Sequence, residues 1–114
     1  MIYTKPVNDR ILEAEVAIKV MGWHLVEGTT WRDAEGKYRG MTYIWCPSVS
    51  IADAWEVVEK MREGGNFDFE LQELGAPAWE AVFLPCGAIG VVGIGRAPTA
   101  PEAICRAALA ALEK

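Results

Sequence analysis

Apolar residues return every three or four positions near the start of this chain. Ile11, Ala14, Ile18 and Met21 share one face and Leu12 widens it, which predicts a helix over residues 8–21. Asn8 stands where a cap belongs, and Gly22 supplies the left-handed position that ends many helices. Residues 23–26 then begin a strand. Asp33-Ala34-Glu35-Gly36 reads as a turn, and residues 38–45 return as a second strand stopped by Pro47. A second helix runs from Ser50, with Ile51, Ala54, Trp55, Val58 and Met61 on its apolar face and Gly64-Gly65 after it. Phe67-Asp-Phe-Glu-Leu-Gln72 alternates apolar and polar residues, the signature of a strand with one wet face. Gly75-Ala76-Pro77 leads into a strand over 79–84, and Pro85-Cys86-Gly87 into an apolar, glycine-bearing strand over 88–94. A last helix buries Ile104, Ala107, Ala108, Ala111 and Leu112.

The predicted order is α-β-β-α-β-β-β-α, an α/β chain forming a single domain over residues 1–114. A right-handed strand–helix–strand crossover makes the second and third strands parallel, and short hairpins make the rest alternate, giving a mixed five-stranded sheet. Two helices open with a hydroxyl residue followed three positions later by a carboxylate, Ser50/Asp53 and Thr99/Glu102, the spacing of a reciprocal cap. In this topology both helix N-termini meet on one rim of the sheet, with Trp23, Trp45 and Trp79 around it. Ligands of open α/β sheets favour such rims.

Three blocks carry a family resemblance: Val20-Met-Gly-Trp23; Pro47-Ser48 followed by Ala54-Trp-Glu-Val-Val-Glu-Lys60; and Ala100-Pro-Glu-Ala-Ile-Cys-Arg-Ala-Ala-Leu109. In this order they resemble the phage ABA sandwich domain, over nearly the whole chain. The resemblance implies a three-layer α/β/α sandwich and an origin in a phage or prophage genome, and it transfers no catalytic residues. Against full coverage of the sheet stands the polar alternation of Asp68, Glu70 and Gln72, which predicts a sheet region without a helix over it.

Charge narrows the partners. A net charge of −5 and a pI near 4.8 argue against duplex nucleic acid, which asks for a basic face. No apolar run reaches the ~20 residues that span a bilayer. The opening Met-Ile-Tyr-Thr-Lys has no hydrophobic signal region, so a cytoplasmic protein is expected, in the host cell if the origin is a phage. Cys46, Cys86 and Cys105 are an odd set without paired short spacings, which speaks for buried reduced thiols rather than disulfides or zinc. A single histidine, His24, excludes multi-histidine metal sites.

The candidate chemistry is that of binding. Gly90-Val-Val-Gly93-Ile-Gly95-Arg96 runs from a strand toward the Thr99 helix start. Glycines there would admit a phosphate close to the backbone, with Arg96 as a guanidinium fork. The same glycines would equally make room for a facing helix. The set is neither a P-loop nor a dinucleotide fingerprint, since the lysine is missing and Pro98 stands where a third glycine belongs. The expected ligand-binding residues are Arg96, Gly93, Gly95, Thr99, Ser48 and Ser50 for phosphate, with Trp23, Trp45 and Trp79 for stacking on a base. Trp55 reads as core, and Trp31, near the hairpin turn, as a contact between protomers. Asp68, Glu70 and Glu80 read as a solvated face. No catalytic residues, metal or cofactor are expected. Together with the phage resemblance, the rim suggests a protein that binds and sequesters a nucleotide-derived signal of host immunity. The alternative is an accessory protein that binds a host protein through an acidic, aromatic surface. A homo-oligomer is expected in either case, paired through an edge strand around residues 33–36.

Overall fold

The computed structural model describes residues 7–75, 77–86 and 93–113. Among these residues three α-helices, α1 (Val7–Glu15), α2 (Ile51–Arg62) and α3 (Ala100–Leu112), combine with six strands, β1 (His24–Val26), β2 (Thr30–Arg32), β3 (Tyr38–Met41), β4 (Phe67–Gly75), β5 (Ala78–Pro85) and β6 (Gly93–Ala97). The predicted Asn8 cap falls inside α1. Ala76, Gly87 and residues 88–92, including the Gly90 of the glycine run, lie outside the described residues.

The five-stranded mixed sheet is not what forms. The strands make two separate three-stranded antiparallel sheets, ordered β1-β2-β3 and β4-β5-β6, so β3 and β4 never pair across the α2 crossover. Two local features account for this. First, Val26-Glu27-Gly28-Thr29 is a tight hairpin turn in which Glu27 (φ 55°) and Gly28 (φ 73°) both have positive φ. That is the type I′ geometry, usually announced by Asn-Gly. It returns the chain into β2, a strand the sequence pattern had hidden. Second, the expected second strand stops at Met41, and Trp45 folds back with its Cβ 3.5 Å from where a Cβ on Gly40 would sit. The small sheet thereby curls around its own tryptophans instead of joining the larger one. Trp23, Trp31 and Trp45 are all buried, with the Trp23 and Trp45 rings 4.6 Å apart.

The larger sheet carries the helices on one face. Its inward positions Phe67, Phe69 and Leu71 on β4, Trp79, Ala81 and Phe83 on β5, and Gly93, Gly95 and Ala97 on β6 meet the core formed by α2 and α3. Fully burying a side chain such as Phe83, Ile104 or Val57 contributes roughly 1.5–3 kcal/mol over leaving it exposed. The opposite face, with Asp68, Glu70, Gln72, Glu80, Val82, Leu84, Ile94 and Arg96, has no described element over it. The alternation in β4 had pointed to this bare face.

One helix buries a different stripe from the one expected, and α2 keeps Ala54, Val58 and Met61 of its stripe while turning Ile51 and Trp55 outward. The chain leaves α1 through a π-helical turn, Val16–Val20, and buries Leu12, Glu13, Val16, Ala17 and Val20, leaving Ile11 and Ile18 exposed. A carboxylate can sit in this stripe because Ser48 donates to Glu13 from both its hydroxyl (2.9 Å) and its amide (3.3 Å). Helix α2 buries Ala54, Val57, Val58 and Met61. Trp55, expected in the core, is 43% exposed and sits edge-on to Phe69 at the β4 margin.

Candidate functional site

Strand alternation decides the fate of the glycine–arginine cluster. Gly93 and Gly95 face α3. A Cβ on Gly95 would lie 2.3 Å from the Ala103 carbonyl oxygen and 2.3 Å from the Ala107 nitrogen; on Gly93 it would lie 2.3 Å from the Ala107 oxygen. Both glycines therefore exist to let α3 lie directly on β6. Arg96 points to the other side of the sheet. Its Nε donates to Glu80 Oε2 at 2.6 Å, and Glu80 Oε1 accepts from Gln72 Nε2 at 3.1 Å, so a register row of three strands is closed by its own polar groups. Arg96 and the two glycines cannot cradle one phosphate between them.

The helix starts also diverge from the reciprocal cap. Ser50 does cap α2, its Oγ accepting from the Asp53 amide at 3.3 Å. Asp53 does not return the bond. Its Oδ2 accepts from the Cys46 amide at 2.8 Å and so ties the preceding turn to the helix. At α3 the Thr99 side chain makes no capping bond, and Glu102 is drawn forward to Arg106 Nε at 2.8 Å. Ser48 is buried on Glu13, Trp23 and Trp45 pack against each other at a tilt of 57° in the core of the small sheet, and Trp79 is half-buried on the helix side of β5. The nine expected binding residues are thus spread over both faces of the large sheet, the starts of α2 and α3 and the core of the small sheet, because the single rim that would have gathered them belongs to a sheet that does not form. Trp31 is buried within its own chain. Of the three thiols only Cys105 is buried; Cys46 is half-buried and Cys86 exposed. Burial drives the Cys105 thiol far up, helped by Glu13 and Glu102, and loss of hydration followed by Asp68 raises Cys86 as well, so neither thiol is activated.

Two surfaces stand out among the described residues. One is an open cleft of about 450 Å³ between α2, the β2–β3 turn and the Gly22 corner, lined among others by Trp23, Asp33, Arg39, Glu56, Lys60 and Glu63. Asp33 is held below its ordinary value by the Lys37 amide first and, against loss of hydration, by Arg39, whose Nη2 lies 2.8 Å away, and the Glu35 amide. Glu56 is shifted up by loss of hydration and by Asp53 and Glu59, against the pull of Arg39 and a hydrogen bond from Trp45. This pairing of a turn carboxylate with an arginine holds the hairpin together. Among the described residues no group of three His, Cys, Asp or Glu side chains could hold a metal ion.

The other surface is the margin of the large sheet. Strand β4 is an edge strand nine residues long, paired only with β5 among the described residues. On the bare face, Val82 and Leu84 are half-buried and Ile94 is 48% exposed, beside Asp68 and Glu70. A depression of about 350 Å³ there is lined by Glu70, Leu71, Gln72, Glu80 and Val82. The polar alternation of β4 had pointed to the bare face, but taking Trp55 for core hid the apolar margin beside it. The signal that could have found it was the combination of a polar-alternating β4 with no basic residue anywhere between Asn66 and Gly95.

With this geometry in hand, a family model settles the kinship: the Phage ABA sandwich domain matches residues 14–109. The chain belongs to that family. It is a phage protein of the ABA sandwich class, in agreement with the three blocks that suggested it. No curated protein and no solved structure matches the chain. Among the described residues, no helix of this ABA sandwich protein is long and apolar enough to cross a membrane.

Proposed function

We propose that this ABA sandwich protein is a non-catalytic phage accessory protein that acts by binding a protein of the host. The observation that carries the reading is the uncovered face and open margin of the β4–β5–β6 sheet, where apolar side chains stand exposed among carboxylates. Such a surface suits a partner polypeptide better than a small molecule, which is held in a concave site with converging polar groups. The residues grouped as a nucleotide site support that alternative poorly, since they are spread over both sheets and two helix starts and most of them are buried, capping or paired. Arg96 in particular is engaged by Glu80.

The test is capture of a partner from host lysate by wild type, Ile94→Asp and Arg96→Ala, alongside thermal unfolding with a panel of nucleotides, cyclic dinucleotides and ADP-ribose derivatives. The expected result is a stoichiometric partner retained by wild type and Arg96→Ala and lost by Ile94→Asp, with no nucleotide shift. A nucleotide at 100 times its Kd adds about 2.7 kcal/mol, a rise of roughly 10 °C for a domain of this size. A rise of that order in wild type would replace this reading with the sequestering one.

A further inference from the structure

We infer that the β4 edge is a strand-addition site for an extended segment in which basic and aliphatic residues alternate; the inference rests on the protein-binding reading and names its surface. Three independent features converge on that edge. Its backbone comes first. From Phe67 to Glu73, where β4 pairs among the described residues with β5 alone, alternate amides and carbonyls point away from the sheet, the row to which an added strand bonds.

The second feature is the helix side. Phe69 and Leu71 are half-buried there, and Trp55 of α2 lies against Phe69 with ring centroids 5.8 Å apart while remaining 43% exposed. Ile51, one turn earlier on α2 and 51% exposed, extends this apolar shelf. Every second side chain of an added strand would descend onto it.

The third feature is the bare side, where Glu70 and Glu80 line the depression and Asp68 stands two residues before Glu70 on the same face of β4. The intervening side chains of an added strand would stand beside these carboxylates. Lysine or arginine suits that position, and glutamate or aspartate is rejected there. The same charges identify the occupant. Strand β4 carries Asp68, Glu70 and Glu73 and no basic residue, so pairing two copies of it sets acid against acid. Proline, lysine and shortness, the usual guards of an edge, are missing from residues 67–75. A bulge between Glu73 and Gly75 blunts the far end of the strand; along residues 67–72 the guard is negative charge, which repels a second copy while admitting a basic strand.

The probes are nine-residue peptides alternating valine with lysine or valine with glutamate, followed by hydrogen exchange and by titration at low and high salt. The Val/Lys peptide should protect amides within residues 67–75 and bind at least tenfold more tightly than Val/Glu, with the difference shrinking in salt. Asp68→Lys/Glu70→Lys should invert the preference. Trp55→Ala, an exposed position that leaves the fold intact, should weaken the Val/Lys peptide several-fold and serves if the double variant does not fold. Equal binding of the two peptides, no added protection along β4 at millimolar peptide, or protection of β4 by self-association without peptide would each overturn the inference. If the edge fails this test while Ile94-dependent capture of a host protein persists, the function proposed above stands and only its location moves to the open face.

Discussion

Single residues in this protein are explained by how close the backbone comes to its neighbours. Gly95 has no room for a methyl group: the obstacles are backbone atoms of α3, which cannot swing aside as a side-chain tip does. Gly95→Ala is therefore expected to destabilise the fold by about 3 kcal/mol through overpacking, measured as a lower urea midpoint with the slope unchanged. Glu27 presents the opposite case. It holds a positive φ that costs a side chain about 1 kcal/mol, so Glu27→Asn should raise stability by roughly 0.5–1 kcal/mol in the same titration. The glycines at β6 were legible in sequence as special, but a glycine that admits a ligand and one that admits a helix look alike until the facing element is placed. Glu27 was illegible for another reason: turn preferences are weak, and the flanking strand pairing overrode them.

At the scale of elements, the helices, the β4–β5 hairpin and the turn at Gly36 could be read from periodicity and glycine placement. The buried stripe was legible in α2 through Ala54, Val58 and Met61 and in α3 through Ile104, Ala107 and Ala108, although Trp55 and Leu112 stay exposed; in α1 it was not. In α1 the stripe through Ile11, Ala14 and Ile18 and the stripe through Leu12, Val16 and Val20 both have helical spacing, and the second won because Ser48 satisfies its one carboxylate. The β2–β3 hairpin depends on a similar polar device. Asp33, 8% exposed, accepts from the Glu35 and Lys37 amides and pairs with Arg39 across the hairpin. Its carboxyl is depressed in the folded state, so the stabilisation is present above the ordinary value of 3.8 and is lost as pH falls below it. Asp33→Asn should accordingly lower the urea midpoint at pH 7, and the gap from wild type should narrow as the titration is repeated from pH 4 toward pH 2. A gap that stayed constant across that range would mean that the carboxylate charge contributes nothing to the hairpin.

Across the whole molecule, the division into two sheets replaces the one rim on which a small-molecule site depended, and it divides stability as well. The β4–β5–β6 sheet is sealed to α2 and α3 through Ala81, Phe83, Gly93 and Gly95, with α1 and its π turn on the far side of the same helices. Strands β1, β2 and β3 are three, three and four residues long and hold together through short ladders, the Trp23–Trp45 contact and the Asp33–Arg39 clasp. Backbone hydrogen bonds with so little apolar cover open at lower free energy than those of a packed core. Native-state hydrogen exchange in sub-denaturing urea should then resolve two units. Amides of β5 and α3 should exchange only through global unfolding, with the full denaturant slope. Those of β2 and β3 should exchange through an opening of smaller slope, joining the global isotherm only near the midpoint. A single isotherm for both sheets would mean that the three buried tryptophans couple the small sheet to the core as firmly as the glycines couple β6 to α3. In that case Trp45→Phe should shift every protected amide together instead of loosening β1–β3 alone.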